Sequence, residues 1–261
     1  MKRIANIILP LLLTAYLVLF LSFSANRSGE LLCNDLQIIM DDTLKSGFLD
    51  KLDIEHIILS EEKEILGYPV TAINTRKLEN KIRTLPYIKE AEIYHDLNGI
   101  MYVKVLQREP IVKVLTKTGS GYYMDNEGYL FSPKGDFTPY IMVANGYFTE
   151  GNEIKAIRNI SDLSDTDKYK EWFELLMILN FIRNDKFWRS QLVQIYYNRN
   201  QEFEIIPRVG AHQILLGNAE NLELKFRNLK ILYEEGLAYE GWNNYEIINL
   251  KYNNQVICSK R

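Results

Sequence analysis

Residues 4–23 form an almost unbroken apolar run behind Lys2 and Arg3. About 20 apolar residues, each rising ~1.5 Å, span the hydrocarbon core of a bilayer as a helix, so 4–24 is expected to be a single transmembrane anchor. The basic flank favours a cytoplasmic N-terminus, which leaves 1–3 as a minimal tail and delivers the chain after about Asn26 across the membrane. Ser22 and Ser24 ahead of Ala25 also suit a signal peptidase, but cleaved signal cores run about 7–15 residues, shorter than this one.

Beyond the anchor the periodicity shortens. Leu36, Ile38 and Met40 alternate as in a strand, and helical stretches follow at 54–59 and from Asn74 or Thr75. Leu78, Ile82 and Leu85 share one face of the second helix, and Pro86 closes it. Two alternating runs, 88–95 and 100–106, flank Asp96-Leu97-Asn98-Gly99. Asn-Gly in that setting predicts a hairpin, since both residues tolerate positive φ. The order strand-helix-helix-strand-strand over 32–107 closes a small core with helices on one face.

Gln107-Arg108-Glu109-Pro110 breaks the alternation and marks a boundary, with a second domain over 108–261. A strand is expected at 111–115. Tyr122-Tyr123-Met124 and Tyr129-Leu130-Phe131 flank a turn at Asp125-Asn126-Glu127-Gly128, and a further strand runs over 140–144 to Asn145-Gly146. One helix is expected from Ser164, with Asp165 and Asp167 in its first turn and Tyr169, Trp172, Phe173, Leu176, Leu179 and Ile182 on its buried face. Another follows Asn218, with Leu222, Phe226, Leu229 and Tyr233 buried and Gly236 as its C-cap. Strands are expected at 192–197, 203–207, 212–216, 245–252 and 255–259, the last two joined by Asn253-Asn254. The fold class is therefore α+β: one N-terminal transmembrane helix, a small α+β domain, then a mixed β-domain with flanking helices.

Composition narrows the function classes. Net charge is −3 with acids and bases interspersed, so no basic groove tracks phosphates and nucleic acid is not an expected partner. Cys33 and Cys258 stand far apart and read as free thiols, and His56, His95 and His212 lack metal-ligand spacing, so neither metal nor cofactor is expected. The Asp125–Gly128 tetrad lacks the distal glutamate of a calcium loop. Ser60-Glu61-Glu62-Lys63 and Lys117-Thr118-Gly119 imitate two motifs of penicillin-binding proteins, yet no serine lies in 61–116 to supply the third. Gly-x-Ser-x-Gly, His-Glu-x-x-His and phosphate-cradling loops are missing as well. The chain reads as a binding protein, not an enzyme.

These features together resemble the bacterial cell-division family FtsQ/DivIB, most closely its Bacteroidetes members. The resemblance rests on the anchor, the strand-helix-helix-strand-strand unit ending in Val105-Leu106-Gln107-Arg108-Glu109-Pro110-Ile111, Tyr122-Tyr123-Met124-Asp125 with Gly128, and Ile248-Asn249-Leu250-Lys251-Tyr252-Asn253-Asn254-Gln255-Val256. It implies a POTRA domain over 32–107 followed by a β-domain over 108–261. It also implies a non-catalytic divisome scaffold that binds FtsB and FtsL outside the cytoplasmic membrane, linking early division proteins to the septal peptidoglycan synthase complex. Localisation would be the inner membrane at the septum, with the bulk of the chain in the periplasm. Asn249, Lys251 and Tyr252 fall on the family's Asp-Leu-Arg-Tyr segment, which implies partner binding by Asn249, Leu250, Lys251, Tyr252, Asn254, Gln255, Val256 and Ile257. A tryptophan found further on in relatives has no counterpart here. Two other readings are an envelope assembly or transport factor built on a POTRA unit, and a cell-wall enzyme.

Overall fold

The computed structural model describes residues 13–20, 31–41, 48–61, 65–132, 138–150, 154, 159–252 and 255–261. Residues 13–20 are helical and exposed; the rest of the expected anchor lies outside the described residues, among which no helix is long and apolar enough to cross a membrane. The chain divides into two compact units, Met1–Gln107 and Arg108–Arg261.

In the first unit, β1 (Asp35–Asp41), α1 (Lys51–Glu61), α2 (Thr75–Arg83), β2 (Ile88–His95) and β3 (Ile100–Gln107) follow in the expected order. The sheet order is β1-β3-β2, with β1 parallel and β2 antiparallel to β3. Asp50 and Asp53 cap α1 reciprocally, each carboxylate accepting the other's backbone N–H. Asn74 caps α2 by accepting from the Lys77 N–H at 3.0 Å. Ile54 and Ile58 of α1, with Leu78 and Ile82 of α2, pack on Ala91, Ile93, Met101, Val103 and Val105 of the sheet. Cys33 is fully buried in the same core, where desolvation raises its thiol pKa. The hairpin turn departs from expectation: Gly99 alone has positive φ, and the Asp96 carboxylate holds the turn by accepting from the Asn98 and Ile100 N–H groups.

The second unit carries a nine-stranded sheet. Its strands are β4 (Pro110–Thr116), β5 (Gly121–Asp125), β6 (Leu130–Phe131), β7 (Met142–Gly146), β8 (Leu192–Tyr197), β9 (Phe203–Pro207), β10 (Gln213–Gly217), β11 (Tyr245–Asn249) and β12 (Ile257–Lys260). The order is β12-β11-β10-β9-β8-β7-β4-β5-β6. Parallel pairs need a crossover, and α3 (Lys170–Asn184) with α4 (Lys186–Gln191) connects β7 to β8, while α5 (Leu222–Ile231) connects β10 to β11. Trp172, Trp188, Phe226 and Tyr233 pack from the helical side on Val114, Ile195, Phe203, Ile205, Ile214 and Ile248 of the sheet.

Several expected elements are displaced. Residues 164–169 form a turn in which the Asp165 carboxylate accepts from Lys168 N–H, so α3 begins only at Lys170. Its fully buried stripe is Trp172, Leu175, Ile178, Leu179 and Ile182, with Phe173 and Leu176 on the flank. The short helix α4 is additional, capped by Asp185, whose carboxylate accepts from the Phe187 and Trp188 N–H groups. Gly236 does not end a helix: α5 continues through a π turn at Leu232–Leu237 into α6 (Ala238–Glu240), and Gly241, with φ +99°, is the stop. Strand β11 ends at Asn249 rather than at residue 252, and β12 starts at Ile257 rather than at 255.

Candidate partner-binding edge of the nine-stranded sheet

β11 is the foundation of this edge. Ile248 is fully buried, and the strand lies parallel to β10 with Ile214 opposite Ile248. The π turn behind it delivers Tyr233, whose hydroxyl lies 2.8 Å from Nε2 of the buried His212, and whose ring meets Trp242 edge-on. Burial lowers the His212 pKa, with the Trp242 backbone acting in the opposite sense, and pushes the Tyr233 hydroxyl upward. This polar pair lies inside an aromatic cluster, immediately before β10 begins at Gln213.

β12 pairs with β11 on one side only, so its outward backbone has no strand partner among the described residues. Cys258 points to the core, its pKa raised by burial and by Glu240. Ile257 is 42% exposed, and Ser259 and Lys260 are exposed. Such an edge can template pairing with another chain.

The expected site residues occupy this edge unevenly. Asn249 ends β11 opposite Ile257, and its side chain accepts from Lys251 N–H at 3.0 Å. Leu250 is buried and donates its N–H to the Leu215 carbonyl at 2.9 Å, which places it in the sheet's support rather than on its surface. Lys251 is tied down: Nζ reaches both Glu202 carboxylate oxygens at 2.9 and 3.0 Å. Its stem lies over Gly217, where a Cβ would meet Lys251 Cγ at 3.0 Å. Tyr252 is half exposed and makes no hydrogen bond or ring contact among the described residues. Gln255 is exposed, Val256 packs partly on the core, and Asn254 lies outside the described residues. Only Ile257 of the set belongs to β12; Leu250, Lys251, Tyr252, Gln255 and Val256 sit in its connection to β11. Glu202, absent from the expected set, joins through Lys251.

The junction motif forms a second constellation. Arg108 is buried, its Nη1 2.8 Å from Asp125 Oδ2, and its guanidinium lies over the Tyr129 ring at 3.4 Å. Asp125 Oδ1 accepts from the Glu127 and Tyr129 N–H groups, and Gly128 takes φ +83°. Arg108 thus clamps the β5–β6 turn to the start of β4.

The decoy catalytic motifs have structural roles. Lys117, Thr118 and Gly119 form the β4–β5 turn, where Glu150 accepts from the Thr118 N–H and hydroxyl. Ser60 lies on α1 in the other unit and donates to the Ile57 carbonyl. No group of three or more His, Cys, Asp or Glu among the described residues is placed to hold a metal ion.

Comparison with known proteins fits this architecture. Residues 31–106 match the POTRA-like domain, and residues 109–259 match the family described as FtsQ/DivIB, C-terminal related. Cell division protein FtsQ of Rickettsia felis (strain ATCC VR-1525 / URRWXCal2) is 26% identical over 170 residues, 62% of this chain and 61% of that protein. The chain thus spans about three fifths of the length of that curated relative. With more than half of its residues inside the family match, the chain belongs to the FtsQ/DivIB family.

Proposed function

We propose that this chain is a non-catalytic scaffold of cell division, anchored in the cytoplasmic membrane by residues 4–24, that captures FtsB together with FtsL along β12 at the septum. The observation that carries the proposal is that β12, among the described residues, pairs on one side only, in a member of this family. A partner segment adds to such an edge as a further strand through backbone bonds, and alternate side chains supply selectivity. Tyr252 and Ile257 are the exposed anchors beside it. A tyrosine buries a rigid ring while keeping its polar tip in contact with water, which suits an interface centre. The apolar run within 4–24 and the basic flank at Lys2 and Arg3 support a periplasmic placement of both units.

The test is co-purification of the full chain with FtsB of the same organism in detergent. Tyr252→Glu, and separately truncation after Asn249, should reduce retention at least tenfold while the POTRA-like unit stays folded. Retention unaffected by truncation would move the site elsewhere, and failure of the wild type to bind would remove the scaffold reading itself.

A further inference from the structure

A cavity of about 410 Å³ opens in the second unit near the starts of β4 and β8, far along the sheet from β12. Four strand spacings of ~4.8 Å separate β8 from β12, about 19 Å. Its wall is largely apolar, including the buried Leu179, Ile182 and Leu192 with Ile111, Met142 and Val193. Among the described residues its charged lining is Arg183, Arg189, Arg208 and Glu109, three positive against one negative, or +2, in a chain whose net charge is −3.

The arginines are poorly neutralised. Arg183 reaches Glu109 only at 3.7 Å, and Arg189 and Arg208 have no carboxylate partner among the described residues. Arg208 lies 5.9 Å from the ring centroid of Tyr140, which is 90% exposed. Hot spots of protein interfaces are enriched in tyrosine and arginine, and here an exposed tyrosine stands beside an arginine that has no carboxylate partner among the described residues. Guanidinium groups match planar carboxylates through paired N–H donors, which a lysine cannot do. The strands that line the cavity are interior ones with neighbours on both sides, so a ligand is recognised here by side chains and not by strand addition.

We infer that this cavity is a second docking site, for an acidic segment of a partner protein in which one or two carboxylates flank a bulky apolar side chain. The apolar wall takes that side chain, and Arg189 and Arg208 take the carboxylates. Its distance from β12 lets both sites be engaged at once.

The experiment presents the full chain in detergent to a displayed library of random eight-residue peptides, with Arg189→Gln/Arg208→Gln as the counter-selection and its melting curve as the check on folding. Peptides enriched on the wild type should carry Asp or Glu beside Leu, Phe or Trp. A labelled representative should bind at least tenfold more weakly to the double variant, to Tyr140→Ser, and when its carboxylates are replaced by amides. Enrichment without acidic residues, or binding indifferent to the arginines, would overturn the inference. So would arginine-dependent capture by phosphatidylglycerol vesicles with no peptide binding, which would make the ligand a lipid.

Discussion

Asp125 uses one carboxylate to satisfy three donors: two backbone N–H groups of its own turn and the buried Arg108 guanidinium. Removing one partner of a buried pair strands the other without water, at about 3–5 kcal/mol. Asp125→Ala is expected to lower the stability of the second unit by up to that amount, Glu127 standing 3.9 Å from the same guanidinium nitrogen. All three tryptophans lie in this unit, so their fluorescence in a urea titration reads it alone. A change below ~1 kcal/mol would show that the clamp is ornamental. His212 gives the pH counterpart. Its folded pKa is depressed by burial, so the neutral ring's contribution is complete above the unfolded value of about 6.5. Below that, the unfolded chain binds a proton that the folded chain refuses, and stability falls with pH by up to ~1.4 kcal/mol per unit. Urea midpoints at pH 7.5 and 5.5 should therefore converge in His212→Gln, and an unchanged gap would exonerate this histidine. The Asp125 turn was legible in the sequence because its donors are two and four residues away. Arg108, 17 residues off, and the Lys251–Glu202 pair, 49 residues apart, were not, because nothing local brings such partners together.

Elements repeat that division between local and distant causes. Strands β2 and β3, and the capped helix α2, follow from alternation, an Asn cap and a Gly turn, all encoded within a few residues. The displaced starts and stops have tertiary causes. α5 runs on past Gly236 because the π turn rotates Tyr233 and Leu237 into the core, and that burial outweighs the weak helix propensity of glycine. β11 stops at Asn249, where the side chain turns back on Lys251 and Leu250 is drawn to β10. Gly146, with φ +128°, lets β7 lie against β8; a Cβ there would sit 2.1 Å from the Tyr197 carbonyl oxygen. Gly146→Ala should destabilise the second unit by more than ~1 kcal/mol, read as a lower urea midpoint, because neither the backbone angle nor the space admits a side chain. Wild-type stability in that variant would mean that the two strands can part without cost.

At the scale of the molecule, the sheet margins differ in how much backbone they leave open. In the first unit the outer side of β2 is occupied: Glu79 accepts from Ile93 N–H and Arg83 donates to the Ala91 carbonyl. In the second, β6 is only two residues long and offers little to pair with. β12 is the longer margin of that sheet, and its length sets a limit on what pairing alone can achieve. Alternate residues of a strand point their backbone groups to opposite sides, so four residues present about two N–H and two C=O groups outward. At ~1 kcal/mol net per hydrogen bond these amount to about 4 kcal/mol, near the millimolar range and about half of what micromolar affinity needs. A partner that added only a strand here would exchange rapidly. Lasting residence has to come from contacts beyond the ribbon, so the lifetime of any complex at this edge is set by side chains flanking the strand, and can be tuned by changing them without disturbing the sheet.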